Sequence, residues 1–382
     1  MNEGALGGVL VADFSRVLAG PYATMLLADL GATVVKVERP GLGDDTRAWG
    51  PPFSNSGQST YFESINRNKM SIALDFTADG DLAVARRLSG VADVVIENFT
   101  PGSLTRYGLD GAQTLRRNPR AVYCSISGFG SGEGAQMPGY DLLVQAMGGL
   151  MSVTGHDAPT KAGVAVVDVL TGLHAAVAIL AALRHRDVAG NGQVIEVSLL
   201  STLLSSLVNQ SGAFAGAGVV PGLLGNAHPS IAPYEVYSAR DRAMVLAVGN
   251  DGQFRALVGV LGEPALADDG RFITNAARVD NRHELNVRLQ HLLELRDAED
   301  WRIRLTAAGV PCGPINSLDG AFGLAGALGL PSIVEIARAD GTPARQVANP
   351  LQMSDTPVTY QLAPPELDAD RAAVLALLAS RG

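Results

Sequence analysis

Asp168 is the first ionisable group in AGVAVVDVLTGLHAAVAILAAL, an otherwise apolar run broken further on by His174. An ionised carboxylate in such surroundings carries a desolvation cost unless it is paired or hydrogen-bonded. Two uses fit the residue. Aspartate is favoured as a helix N-cap, with the amides of Thr171 or Gly172 as its targets. A carboxylate at a helix N-terminus can also act as a nucleophile in covalent catalysis. The geometries are compatible, and the residues alone leave both open.

His228 precedes a proline in GNAHPSIAPYEVY, Gly225 to Tyr237. It could serve as an acid, a base or a donor to a substrate carboxylate; a lone loop histidine is more often solvated or bonded to backbone. Basic residues cluster at expected strand ends: Arg39 closes one strand, Arg67 and Lys69 precede another in NRNKMS, and Arg106 follows NFTPGSL. In an open α/β sheet such positions can meet on one phosphorylated ligand, while each arginine alone reads as a solvated surface group.

The elements that must position these groups alternate in the first third of the chain. VLVADF, TVVKVER, SIALDF, ADVVIENF and AVYCSISGF have strand length and apolar content, and helical patterns run from Pro21 to Leu30 and from Gly80 to Leu88. That alternation predicts a mostly parallel, Rossmann-like sheet. FSRVLAGPYA after the first strand lacks the GxGxxG spacing of a dinucleotide site, and Walker A spacing is absent. The run from Ala165 to Leu183 is expected as a buried helix, since Asp168 and His174 interrupt the roughly 20 apolar residues that a membrane span needs. Glycine and alanine dominate Gln210 to Asn226, which suits a linker.

The expected fold is α/β, with a large Rossmann-like domain over 1–209 completed by 330–382. A linker and mobile loop over 210–233 and a smaller α/β domain over 234–329 complete the arrangement. With 382 residues and 47% hydrophobic content the chain can bury a large core, and a net charge of -9 argues against nucleic acid as a partner. Cys124 and Cys312 form no metal-ligand spacing, so no metal is expected and a reducing cytoplasm fits. The N-terminal segment lacks a basic region and reads as a strand, so no secretory signal and no membrane partner are expected.

Seven segments in order resemble the family III coenzyme A transferases, the CaiB/BaiF family of formyl-CoA transferase and carnitine CoA-transferase. They are DFSRVLAGPYATMLLADLGATVVKVERPGLGDDTR, YFESINRNKMSIALD, VIENFTPGSLTRYGL, PGYDLLVQAMGGLMSVTG, VVDVLTGLHAAVAILAAL, GNAHPSIAPYEVY and VGNDGQF. The resemblance implies an interlocked, ring-like homodimer and Asp168 as catalytic residue. It implies a coenzyme A site at Val17, Arg39, Asn68, Lys69, Met70, Asn98, Phe99 and Arg106, with Phe129 and Gly130 near the thioester. Leu18, Tyr140, Gly225 and His228 would border the acyl group, with the Gly225–His228 loop a shortened counterpart of the family's glycine lid. No permanent cofactor is implied; acyl-CoA and small carboxylic acids are substrates.

The implied reaction proceeds through an aspartyl anhydride and an aspartyl-CoA thioester, with water excluded and backbone amides near Phe129–Ser131 or Gly225 stabilising the oxyanions. Two alternatives stay open. One is a 2-methylacyl-CoA racemase on the same scaffold, whose members carry histidine in a GHD triplet where this chain has Gly139, Tyr140 and Asp141; tyrosine is a poor base near neutrality. The other is a coenzyme A-binding protein without turnover. Formyl-CoA transferase has glutamine where Leu18 stands, and GNAHPSIAPY is more similar to members that use succinyl-CoA, so succinyl-CoA is the expected donor.

Overall fold

The computed structural model describes residues 4–381; residues 1–3 and 382, the outer ends of the expected large domain, lie outside the described residues. In chain order come β1 (Leu10–Asp13), α1 (Ala19–Asp29), β2 (Thr33–Glu38), α2 (Thr60–Glu63), β3 (Lys69–Ala73), α3 (Asp79–Val91), β4 (Val94–Glu97) and α4 (Gly111–Arg117). β5 (Val122–Ser127), α5 (Asp141–Met147), α6 (Leu150–Val153), α7 (Val166–Ala189), β6 (Gln193–Ser198), α8 (Leu199–Ser206) and α9 (Asn209–Ala217) follow. Next are β7 (Tyr234–Ser238), β8 (Ala243–Ala247), α10 (Asp251–Val260), α11 (Asn275–Asp280), α12 (Arg282–Leu293), α13 (Ala298–Ala307), β9 (Cys312–Pro314) and α14 (Leu318–Ala327). β10 (Ile333–Ala337), β11 (Pro343–Val347) and α15 (Arg371–Ser380) end the series.

The chain divides into two units. One takes the residues up to Leu150, Ala162–Val219 and the chain from Leu330 onward; the other takes Met151–Lys161 and Val220–Gly329. In the first, β1 to β6 form one parallel sheet in the order β3-β2-β1-β4-β5-β6. Both faces of the central strands β1, β2, β4 and β5 are covered, so these strands are mostly apolar and alternate residues feed two cores. Val11, Val34, Val94, Ile96, Val122 and Cys124 pack with α1, α7 and α8 on one face. Leu10, Ala12, Val35, Val37, Ile72 and Val95 pack with α3 and α15 on the other.

The C-terminal segment covers the β3 edge of this sheet. Asp370 and Asp368 accept the N–H groups of Ser71 and Ala73 at 2.9 and 2.8 Å, so the outer strand β3 presents no open ladder there. The second unit holds an antiparallel sheet, β7-β8-β9, whose core includes Met244, Leu246, Phe254, Leu285 and Trp301.

Two expectations change. Part of the stretch expected as a linker, Asn209–Ala217, is the helix α9; alanine at alternate positions supports the helix despite the intervening glycines. The helix α7 is long and apolar enough by composition to cross a membrane, yet only one face is buried. Val167, Thr171, Ala175, Ile179 and Ala182 face the core at helical spacing, while Leu173, Val177 and Val188 are exposed.

Candidate active site

In the order β3-β2-β1-β4-β5-β6 the direction of winding reverses between β1 and β4. The loops leaving the carboxyl ends of those two strands therefore part to opposite faces and open a crevice. Arg16–Ala19 after β1 and Asn98–Pro101 after β4 line a cavity of about 640 Å³ there, with Ser127, Gly128, Tyr140, Asp141 and Asp168. The two loops are locked together: Asn98 Oδ1 accepts the Arg16 N–H at 2.9 Å and Asn98 Nδ2 donates to the Arg16 carbonyl at 2.7 Å.

Asp168 lies in the first turn of α7. It is not the helix cap. Ala165 holds that position, and the free amides of the turn are met from another helix: Asp141 Oδ1 accepts the N–H of Val167 at 2.8 Å and of Asp168 at 3.1 Å. Asp141 thus does the capping that the sequence suggested for Asp168. Burial pushes the Asp168 carboxyl up to about 7, and the adjacent Asp141 charge adds to the rise. Tyr61 sits in the same field: burial first, then the charges of Asp168, Asp141 and Asp44, push its hydroxyl up to about 12. Its ring meets Trp49, which lines the cavity, edge-on at 5.1 Å.

Two glycine contacts set the geometry. A side chain at Gly172, one turn beyond Asp168, would put its Cβ 2.7 Å from the Ala19 carbonyl oxygen; without one, α7 rests on the start of α1. Gly128 and Gly139 likewise touch backbone to backbone, with a Cβ on Gly128 falling 2.4 Å from the Gly139 Cα, which brings Tyr140 and Asp141 over the end of β5.

A second cavity of about 460 Å³ adjoins the first, sharing Arg16, Asp45 and Phe99 as walls. It is lined by Arg39, by Leu74–Thr77 at the carboxyl end of β3, and by Tyr107. Asp45 holds the Arg39 guanidinium at 2.9 Å, and Arg16 lies over the Phe99 ring at 5.4 Å.

Of the residues expected at the site, Val17, Leu18, Asn98, Phe99, Tyr140 and Asp168 line the first cavity, and Arg39 and Phe99 the second. Arg106 lies over the Tyr107 ring at 4.6 Å, beside the second cavity. Asn68, Lys69 and Met70 are elsewhere. They open β3 at its amino end, and in a parallel sheet the carboxyl ends carry the ligand. Asn68 donates to Asp29 and to the Thr359 carbonyl and accepts from Gln361 and Leu362; Lys69 is fully buried among Asp13, Asn66 and the Pro21 carbonyl. Met70 packs into the core and, with Asn68, borders a separate small cavity.

Phe129 packs on the core next to α7, and the Gly130 N–H is taken by Ser127 Oγ at 3.1 Å; neither lines a cavity with Asp168. Gly225 and His228 belong to the second unit. There Gly225 donates to the Gly155 carbonyl, and His228 Nδ1 accepts the Ser230 N–H at 3.1 Å beside the Tyr234 ring. The structure adds residues that the sequence did not single out: Arg16, Asp44, Tyr61, Tyr107, the capping role of Asp141, and the Leu74–Thr77 loop. Strand direction alone would have pointed to that loop.

The model of CoA-transferase family III matches residues 6–371. The chain belongs to that family. It is 44% identical over 381 residues to the succinate–glutarate CoA-transferase of Agrobacterium fabrum, covering 98% of this chain and 95% of the relative. It is 42% identical to the succinyl-CoA:glutarate CoA-transferase of Mus musculus, covering 83% of this chain and 73% of that one. A CaiB/BaiF family protein from Brucella suis superposes with a TM-score of 0.87 at 41% identity, covering 98% and 100% of the two chains. The protein is therefore a family III CoA-transferase, an enzyme that moves coenzyme A from an acyl-CoA donor to a carboxylic acid acceptor.

Proposed function

We propose that this CoA-transferase uses Asp168 as its nucleophile, succinyl-CoA as donor and a short dicarboxylic acid of the glutarate type as acceptor. The observation that carries the first part is Asp168 itself: it lies in the switch-point cavity, is released from capping by Asp141, and is raised to about 7. A carboxylate poorly stabilised as an anion is a better nucleophile than a solvated one, yet at pH above 7 it is still ionised. The names of the relatives support the substrate pair.

Coenzyme A then runs along the two adjoining cavities, its base against the paired rings of Phe76 and Tyr107 and its thioester at Asp168. A carboxylate oxygen of Asp168 attacks the thioester carbonyl carbon, the C–S bond breaks and CoA leaves as thiolate, giving a mixed anhydride. The thiolate attacks the aspartyl carbonyl and expels succinate, leaving aspartyl-CoA thioester. The acceptor carboxylate attacks that carbonyl and releases the thiolate again; the thiolate then takes the acceptor's acyl carbon and frees Asp168. No net proton is consumed. Phe99, Trp49 and Leu18 border the cavity as apolar walls that limit water, which would hydrolyse either intermediate.

A homodimer fits the exposed apolar face of α7 at Leu173, Val177 and Val188, since one unpartnered apolar stripe on a core helix marks an association surface. The test of the reading is a substrate screen: succinyl-CoA, acetyl-CoA or formyl-CoA with a pool of acids, products read by mass spectrometry. Glutaryl-CoA formed from succinyl-CoA by the wild type and not by Asp168→Ala is the expected result. Transfer from formyl-CoA to oxalate in preference to this pair would overturn the substrate assignment.

A further inference from the structure

Val17 is held where valine does not belong. Its φ is 69°, the left-handed region, which a β-branched side chain enters under strain and only where the surroundings force it. The force comes from Asp44. Its carboxylate accepts the Val17 N–H at 3.2 and 3.3 Å through its two oxygens, and the same group takes the N–H and hydroxyl of Thr46 at 3.0 and 2.8 Å. Lys36 Nζ completes the set at 2.8 Å from Asp44 Oδ2 and 3.1 Å from the Ser15 carbonyl, two residues before Val17.

Both charged side chains are 0–1% exposed. Burial by itself would lower the Lys36 ammonium and raise the Asp44 carboxyl, but the opposite charges around them, each for the other first, reverse both shifts and keep the pair ionised. A buried ion pair is a poor source of net stability. Its yield here is geometric: it ties β2 and the Asp44 turn to the one strained residue of the β1 loop, directly before the Leu18 that opens α1.

We propose that the Lys36–Asp44 pair is a positioning device for the transfer reaction, holding Val17 left-handed so that Val17 and Leu18 form a fixed wall of the cavity that contains Asp168. Lys36 and Asp44 border the other cavity, and Asp45 beside them holds Arg39. The pair therefore fixes the acyl end of the site from residues next to the other end. The inference rests on the reading of Asp168 as nucleophile, because the wall matters only if the chemistry occurs there.

The test compares full-length wild type, Asp44→Asn, the double variant Asp44→Asn/Val17→Gly, and Asp168→Ala. Asparagine keeps the shape of Asp44 but turns an acceptor into a donor against Lys36 or Val17. The expected kcat falls on the order of 10- to 100-fold, as a displaced wall misaligns the reacting carbon, while KM for acyl-CoA moves by less than about threefold. Glycine takes φ near +69° without strain, so the double variant regains a substantial part of kcat.

Thr46→Val, which removes one donor to the same carboxylate and leaves the ion pair, gives a milder loss of kcat if Asp44→Asn does not fold. A purely structural role would lower the melting temperature, leave kcat alone and show no rescue by Val17→Gly; that result overturns the inference. If Asp168→Ala keeps transfer activity, the nucleophile assignment fails instead. If Asp168→Ala is inactive and Asp44→Asn has wild-type kcat, only the positioning role fails.

Discussion

Asp141 and Asp168 are joined by a hydrogen bond from the backbone of one to the side chain of the other: Asp141 Oδ1 takes the Asp168 N–H at 3.1 Å, and the Asp141 charge helps to raise the Asp168 carboxyl. One residue thus sets both the direction of the α7 terminus and the basicity of the group it carries.

The pH profile follows from that pair. A nucleophilic carboxylate acts only when ionised, so kcat/KM for acyl-CoA should rise with pH and level off above about 7, the value to which burial and Asp141 push Asp168. Asp141→Asn keeps an acceptor for the two amides and removes the charge. Its acidic limb should move to lower pH, and stopped-time assays across pH 5 to 9 would read the shift. An unmoved limb would mean that Asp168 does not control it.

Asp168 should also cost stability at the pH where it works. Its folded pKa is raised above the ordinary aspartate value of 3.8, so the folded state binds the proton more tightly. The protein is favoured while the group is protonated, and stability is lost as pH rises from about 4 through about 7. Asp168→Asn should therefore raise the melting temperature at pH 8 and have little effect at pH 4, while abolishing transfer. Calorimetry at the two pH values checks the sign.

The parallel sheet was legible because buried strands write their apolar runs plainly, and Asp168 drew attention because a lone carboxylate stands out in VVDVL. Less legible was which end of each strand faces the ligand. NRNK drew attention through its charges, but those charges are spent inside the fold: Arg67 and Asn68 bind Asp29, and Lys69 binds Asp13. The uncharged neighbours Leu74 and Phe76, with no chemistry of their own to advertise, line the cavity. Nor could spacing show that Asp141, 27 residues before Asp168, would cap its helix.

That difference is testable. Asn68→Ala breaks buried bonds to Asp29 and the C-terminal segment, so it should lower stability by about 1–3 kcal/mol in denaturant melts with KM for acyl-CoA unchanged. Phe76→Ala should raise KM about tenfold by removing a surface for the base, together with some loss in the melt from its edge contacts with Phe14 and Tyr107; the rise in KM is what separates it from Asn68→Ala.

Gly172 offers a test of geometry without new chemistry. Gly172→Ala puts a methyl against the Ala19 carbonyl and should push α7 off α1, costing about 1–3 kcal/mol. Because Asp168 lies one turn away on the same helix, kcat should fall more than KM rises.

The most direct measurement of the central claim is a mass map of the protein quenched in acid after mixing with succinyl-CoA in the absence of any acceptor. A covalent coenzyme A adduct on the peptide that contains Asp168, absent from Asp168→Ala, is what the mechanism predicts. An adduct on another residue, or full transfer activity in Asp168→Ala, would contradict it.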